Sequence, residues 1–406
     1  MADNYNKYIK YKTKYLELKN KQIGGGLFAE NEKLLFDSNI NKISKKIMKI
    51  ENKRGLINFI NNRLDKKYTN DNFATIKDIT KILSSLTTID LIFIDSAEHF
   101  DVFDSARKKP DTNKKDIDTY IDDKKLELSY SINDNGKIIN NLGNNIYAMH
   151  SIGKVFTGFL IMLLLNDGII TKKDINSPLQ LDKDITEQLP KTIKKRLKET
   201  TMLDVMTHQS GLTDYLGNYF ESLRNNNKEN PINPEDFVQY IDHDVKQKNK
   251  FNYSNSGLLL CGLSAKHLYN KRTKNNKSYN EILNEYIIKP ADLRTFSITK
   301  PKNAIFNDKA VDVAEFINGS PTGGYWISVD DLAKFGAFIL EKPKIKKYLE
   351  KYGGEFYHEN MVSHSGGING SNCWLTVYLD YNISVAIMDN NGTDSRQLKM
   401  AIEYFG

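Results

Sequence analysis

At 406 residues, with 39% hydrophobic and 11% aromatic side chains, the chain is long enough for two or three structural units and a sizeable core. A net charge of +7 from 58 Lys and Arg against 51 Asp and Glu is a modest excess, carried by runs such as "KKIMKIENKR" and "KTIKKRLK" that suit solvated helix faces; no nucleic-acid partner is expected. Cys261 and Cys373 stand far apart and the seven histidines have no ligand spacing, so neither a disulfide framework nor a metal site nor a cofactor is expected.

In chain order, Tyr8, Tyr11, Tyr15 and Leu18 form an amphipathic stripe that breaks at Gly24 to Gly26, giving a short helix and hinge over residues 1–26. A frayed tail and a docking helix for a protein partner both remain open for it. The segment has no apolar core of the signal-peptide kind, so the expectation is synthesis in a cytoplasm. Residues 27–88 read as a helical, lysine-rich extension, and a domain of mixed texture runs over 89–406. It opens with a strand-like "IDLIFIDS", then a charged connection over 104–125, then strands in "LELSYSI" and "KIINNLGNNIYAMH". A helix begins near Ser151. Its apolar run "VFTGFLIMLLL" has 11 residues against the ~20 needed to span a bilayer, so no membrane span is expected. Gly168 is placed to end that helix in the left-handed conformation. Residues 171–300 read as helices and loops, including one opened by Asn233-Pro234 and others in "GLLLCGLSAKHLY" and "YNEILNEYII". "SVDDLAKFGAFILE" is a serine-capped helix, "NCWLTVYLD" and "NISVAIMDN" are strands, and a last helix starts near Ser395. Strands at both ends with helices between them imply an α/β (α+β) unit with an inserted helical subdomain over about 171–320.

Three short segments carry chemistry. Ser151 and Lys154 stand three apart at a helix start, where they share a face. A serine hydroxyl needs a neighbouring base, and a lysine with a reference pKa of ~10.4 serves as one only when burial or nearby cations depress it. Alone, the S-x-x-K spacing recurs by chance in many helices, and a purely structural reading stays open. In "FNYSNSG", Tyr253 and Asn255 point the same way on an extended loop, a phenol to carry a proton to a leaving group and an amide to hold a substrate amide. In "VSHSGGING", His364 precedes Gly366 and Gly367, whose bare backbone suits close approach. The N–H of Gly367, with that of Ser151, suits an oxyanion hole.

In this order the segments resemble the motifs of the penicillin-recognising serine hydrolases: S-x-x-K, then Y-x-N, then a K/H-[ST]-G strand. The Tyr253 and His364 variant is similar to class C β-lactamases, D-alanyl-D-alanine peptidases and related esterases. "TMLDVMTHQSGLTDY", "EYIIKPADLRTF" and "PTGGYWISVDDLAKFG" resemble further landmarks of that family, so the likeness covers roughly residues 126 to 395. It implies a β-lactamase/transpeptidase-like fold, an antiparallel sheet flanked by helices. It also implies Ser151 as acylated nucleophile, Lys154 and Tyr253 as coupled base and acid, and His364 as the third-motif cation or hydrogen-bond donor. Asn255, Gly366 and Gly367 become the substrate contacts, and the substrate a small-molecule or peptide amide or ester. His364 in place of lysine favours a peptidase or esterase over efficient penicillin hydrolysis. The Asn-, Lys-, Ile- and Tyr-rich composition resembles proteins of giant DNA viruses, which would put the chain in a host cytoplasm or a virion. The competing reading is a catalytically idle scaffold used for binding or as a virion component.

Overall fold

The computed structural model describes residues 109–226, 233–305, 318–358, 360–368, 370–391 and 394–405, together with Ser44, Asn72 and residues 74–83. The chain divides into two compact units, Met1–Lys108 and Lys109–Gly406. In the first, helix α1 (Ile76–Leu83) buries Ile79, Ile82 and Leu83, and Ser44 Oγ lies 3.0 Å from Thr80 Oγ1. The expected helix and hinge of residues 1–26, most of the 27–88 extension and the strand at 89–96 fall outside the described residues.

The second unit opens with helix α2 (Lys114–Lys124), where a charged connection was expected. Its polar surface hides the signal. Only Ile117 and Ile121, four apart, are apolar and buried, and Asn113 caps the first turn by accepting the Lys115 N–H at 3.1 Å. Strands β1 (Leu128–Asp134), β2 (Lys137–Asn141) and β3 (Ile146–Ala148) follow, then helices α3 (Gly153–Asn166), α4 (Met202–Met206) and α5 (Asn255–Thr273). The segment opened by Asn233-Pro234 is a 3-10 helix, Pro234–Tyr240. After β4 (Trp326–Ser328) come α6 (Val329–Leu340), capped by Ser328 as expected, and α7 (Pro343–Tyr352). Strands β5 (Tyr357–His358), β6 (Met361–Ile368), β7 (Ser371–Tyr378) and β8 (Ile383–Asp389) and helix α8 (Asp394–Phe405) close the unit.

Six strands form one antiparallel sheet in the order β2-β1-β8-β7-β6-β5, while β3 and β4 pair separately. Alternation along the strands sends side chains to both faces. Cys373, Leu375, Val377, Ala386 and Met388 join the large core under α3 and α6. Tyr378, Ile383, Val385 and Ile387 face the core that Ile117 and Ile121 of α2 share with Leu398 and Ile402 of α8. A third core, from Ile185 to Leu263, belongs to the inserted helical region.

Helix α3 and the first half of helix α5, Asn255–Ala265, are buried on every side, which places them inside the protein rather than on it. Helix α3 is buried from Gly153 through Leu165, and Gly168 behind it has φ +72° as its expected stop requires. Helix α5 lies between two cores: Leu258, Cys261, Ala265 and Leu268 face the large one, and Leu259, Leu260 and Leu263 the helical one. Fully burying each such leucine contributes about 1.5–3 kcal/mol. Leu260→Ala is therefore expected to cost about 2–5 kcal/mol, read as a lower urea midpoint in equilibrium unfolding. A midpoint unchanged from the parent protein would show that α5 does not tie the helical region into the fold.

Candidate active site

Ser151 sits within a single 3-10 turn, His150–Ile152, that leads directly into α3. The turn is entered through His150 at φ +42° and is held from two sides by close backbone approach. A Cβ on Gly323, at φ +154°, would stand 2.5 Å from the His150 carbonyl oxygen, and one on Gly153 would stand 2.7 Å from Gly323 Cα. A Cβ on Gly366 would come within 2.8 Å of the Ser151 nitrogen, so β6 runs against the serine turn at that glycine. At Gly367 the space a Cβ would take is filled by Asn372, its Oδ1 only 2.0 Å away. Any side chain at Gly153, Gly323 or Gly366 would push the elements apart.

Lys154, in the first turn of α3, is fully buried. Its ammonium donates to Ser151 Oγ at 2.8 Å and to the Thr322 carbonyl at 3.1 Å, and lies 5.0 Å from the centre of the Tyr253 ring. Burial pulls its pKa down to about 8, against the opposing attraction of the Glu355 and Asp214 carboxylates. The Tyr253 hydroxyl donates to the same Ser151 Oγ at 3.0 Å. Tyr253 is 38% exposed as a residue, yet burial of its hydroxyl end pushes the phenol above its ordinary value, so it stays protonated at neutral pH. His150 next to the serine is held neutral, its pKa lowered to about 4 by burial and by Lys154, and pairs with Ser371 Oγ at 3.0 Å.

The structure thus brings Ser151, Lys154 and Tyr253 together, with Gly366 against the serine. Asn255 opens α5 and is buried, and its amide donates to Asp214 Oδ2 at 2.6 Å. His364, on the same face of β6 as Gly366, turns Nε2 toward Glu355 Oε1 at 3.3 Å, while Nδ1 is buried with no hydrogen-bond partner among the described residues. His364 therefore shares the Glu355 carboxylate with His208 in this structure.

Four contributors escaped the sequence reading. Glu355, with a 13% exposed side chain, accepts from His208 Nε2 at 2.6 Å as well as from His364. Burial alone would raise its pKa, but these two donors hold it down at about 2. His208 was legible only as part of a landmark. Asp214 lies in the same landmark, bonded to Asn255. Thr322 acts through its carbonyl, which no side-chain pattern reveals, and is steadied by Tyr215, whose hydroxyl lies 3.0 Å from Thr322 Oγ1. Among the described residues no group of three or more His, Cys, Asp or Glu is arranged to hold a metal ion, and no helix is long and apolar enough to cross a membrane.

Comparison with known proteins agrees with this architecture. The family described as Beta-lactamase matches residues 120–357, more than half of the chain. A penicillin-binding protein from Bacillus halodurans is similar in structure, with TM-score 0.56 at 17% identity over 71% of this chain and 100% of its own. The D-amino acid amidase of Ochrobactrum anthropi SV3 gives TM-score 0.53 at 16% identity, covering 71% and 98%. A D-stereospecific amidohydrolase from Streptomyces sp. gives 0.53 at 18%, covering 69% and 94%. At these identities the likeness establishes the fold, a β-lactamase-like sheet flanked by helices. No curated protein matches the chain in sequence.

The lowered pKa of Lys154 has a definite sign. A protonated lysine cannot take the serine proton, so the reactive fraction grows as pH rises through about 8. Phosphonylation of Ser151 by a fluorophosphonate, with loss of fluoride, is expected to rise roughly tenfold per unit below pH 7 and to level off above about pH 9. A rate flat across pH 6 to 9 would assign the proton transfer to another group.

Proposed function

The chain belongs to the beta-lactamase family, and we propose that it is a serine hydrolase that opens an amide or ester through an acyl-enzyme on Ser151. One observation carries the reading: a buried lysine and a phenol converge on one serine oxygen, at 2.8 and 3.0 Å. A structural serine needs neither, and burying a lysine costs stability, so its presence beside the serine favours a functional role.

In this mechanism neutral Lys154 takes the Ser151 proton as Oγ bonds to the carbonyl carbon. Negative charge gathers on the carbonyl oxygen, where the Ser151 and Gly367 N–H groups serve as donors. Tyr253, kept protonated by its raised pKa, gives its proton to the leaving nitrogen or oxygen as that bond breaks, and the Lys154 ammonium restores it. Water then repeats the sequence on the acyl-enzyme, releasing the acid and the serine.

The edge of the sheet supports an extended amide as the substrate class. Among the described residues β5 pairs only with Met361 and Val362, so the rest of β6 has one edge without a strand partner. An extended amide can add to such an edge through backbone hydrogen bonds. The similar structures named for amidase and amidohydrolase activity support trying amino-acid amides first, and His364 in place of a lysine favours peptidase or esterase chemistry over penicillin hydrolysis.

Peptide mapping after fluorophosphonate treatment is expected to find the adduct on the peptide holding Ser151, and Ser151→Ala to abolish it in a folded protein. Lys154→Ala should slow labelling by about 10² or more. A folded wild-type protein that takes up no adduct, or takes it up elsewhere, would promote the idle binding scaffold in its place.

A further inference from the structure

A stack of side chains runs from the nucleophile to a carboxylate that no motif announces. Lys154 Nζ lies 5.0 Å from the centre of the Tyr253 ring, and that ring lies 4.5 Å from the His208 ring. His208 Nε2 then meets Glu355 Oε1 at 2.6 Å, and His364 Nε2 approaches the same oxygen at 3.3 Å.

His208 grips both neighbours of Tyr253. The Asn252 N–H donates to the His208 carbonyl at 2.7 Å, and the Ser254 N–H donates to His208 Nδ1 at 3.2 Å. Because Nδ1 accepts, the ring hydrogen must sit on Nε2, where it points at Glu355. The Glu355 bond thus fixes the tautomer and the ring, and the ring fixes the loop that carries the phenol. His208 is fully buried in its side chain and holds φ +52°, so it has no second way to satisfy Nε2 by turning to solvent.

We propose that Glu355 is a positioning residue for the acyl transfer argued above: it locks His208, and through it Tyr253, against Ser151, and provides a negative charge that Lys154 senses without a direct ion pair. The inference rests on that reading for its kinetic part only. The groups facing Lys154 are Ser151, Tyr253, His150, Glu355 and Asp214, and those facing Glu355 are His208, His364, Lys154 and Tyr253. Asp214 is bonded to Asn255, not to Glu355 or His208, so a change at Glu355 removes none of its contacts.

Two measurements separate its parts. In a Ser151→Ala background, competitive acetylation with acetic anhydride across pH, read on the Lys154 peptide, titrates the lysine without turnover. Glu355→Gln is expected to lower that midpoint by about half a pH unit or more, since a neighbouring negative charge favours the ammonium, and Glu355→Asp to return it toward the parent value. With Ser151 intact, the high-pH plateau of fluorophosphonate labelling is expected to fall about tenfold in Glu355→Ala, which leaves His208 Nε2 without its acceptor and lets Tyr253 lose its register. An unmoved midpoint overturns the charge effect, and an unchanged plateau overturns the positioning. Should Glu355→Gln or Glu355→Ala fail to fold, Glu355→Asp decides alone: it must slow labelling and keep the midpoint, and a labelling rate equal to the parent's overturns the proposal. A shifted midpoint in a protein whose wild type never labels would remove the hydrolase reading while leaving the electrostatic link standing.

Discussion

An amine buried with no carboxylate in contact is an unstable thing to build a protein around, and Lys154 is such a group. Its partners are a hydroxyl, a carbonyl and the face of an aromatic ring. None of them carries a full negative charge, so desolvation is only partly offset and the proton is held loosely. The same apolar packing of α3 that stabilises the fold creates this penalty, because every position from Gly153 to Leu165 is enclosed. Core and chemistry are thus one decision, made by the run of hydrophobic residues that follows Ser151.

The remaining parts answer the need to bring backbone very near that lysine. Gly153 and Gly323 let the loop before β4 lie on the serine turn, which delivers the Thr322 carbonyl to Nζ. Gly366 lets β6 do the same at the Ser151 nitrogen. On the helical side, contact comes through side chains: Tyr253 rides on His208, and Asn255 is tied to Asp214. The sheet side is therefore set by the absence of side chains, and the helical side by a dense polar network.

This contrast explains what the sequence disclosed. Ser151, Lys154 and Tyr253 were legible because spacing on a helix and alternation on a loop bring side chains to one place, and the structure joins them. Ser328 as a cap and Gly168 as a stop were legible for the same local reason. Glu355 was not, since a lone glutamate between a glycine pair and aromatic residues matches no period, and its partners lie 147 and 9 positions away. Helix α2 hid behind a composition that resembles a linker, and α7 behind lysines, its buried Ile345, Leu349 and Tyr352 showing only a narrow stripe. For His364 the sequence marked the position but not its neighbour: the ring faces a carboxylate that only the tertiary fold supplies.

The bond from Lys154 to Thr322 closes a loop of 168 positions, and that from Tyr253 to Ser151 one of 102. Helix α3 can form from local signals soon after its residues leave the ribosome, whereas the Thr322 contact must wait for chain made much later. Until then the lysine has water around it and an ordinary affinity for its proton. On the hydrolase reading proposed above, nucleophilicity at Ser151 would be a late property of the growing chain, gained on completion of the fold, and a nascent or truncated product would carry the motif without the lysine's buried surroundings.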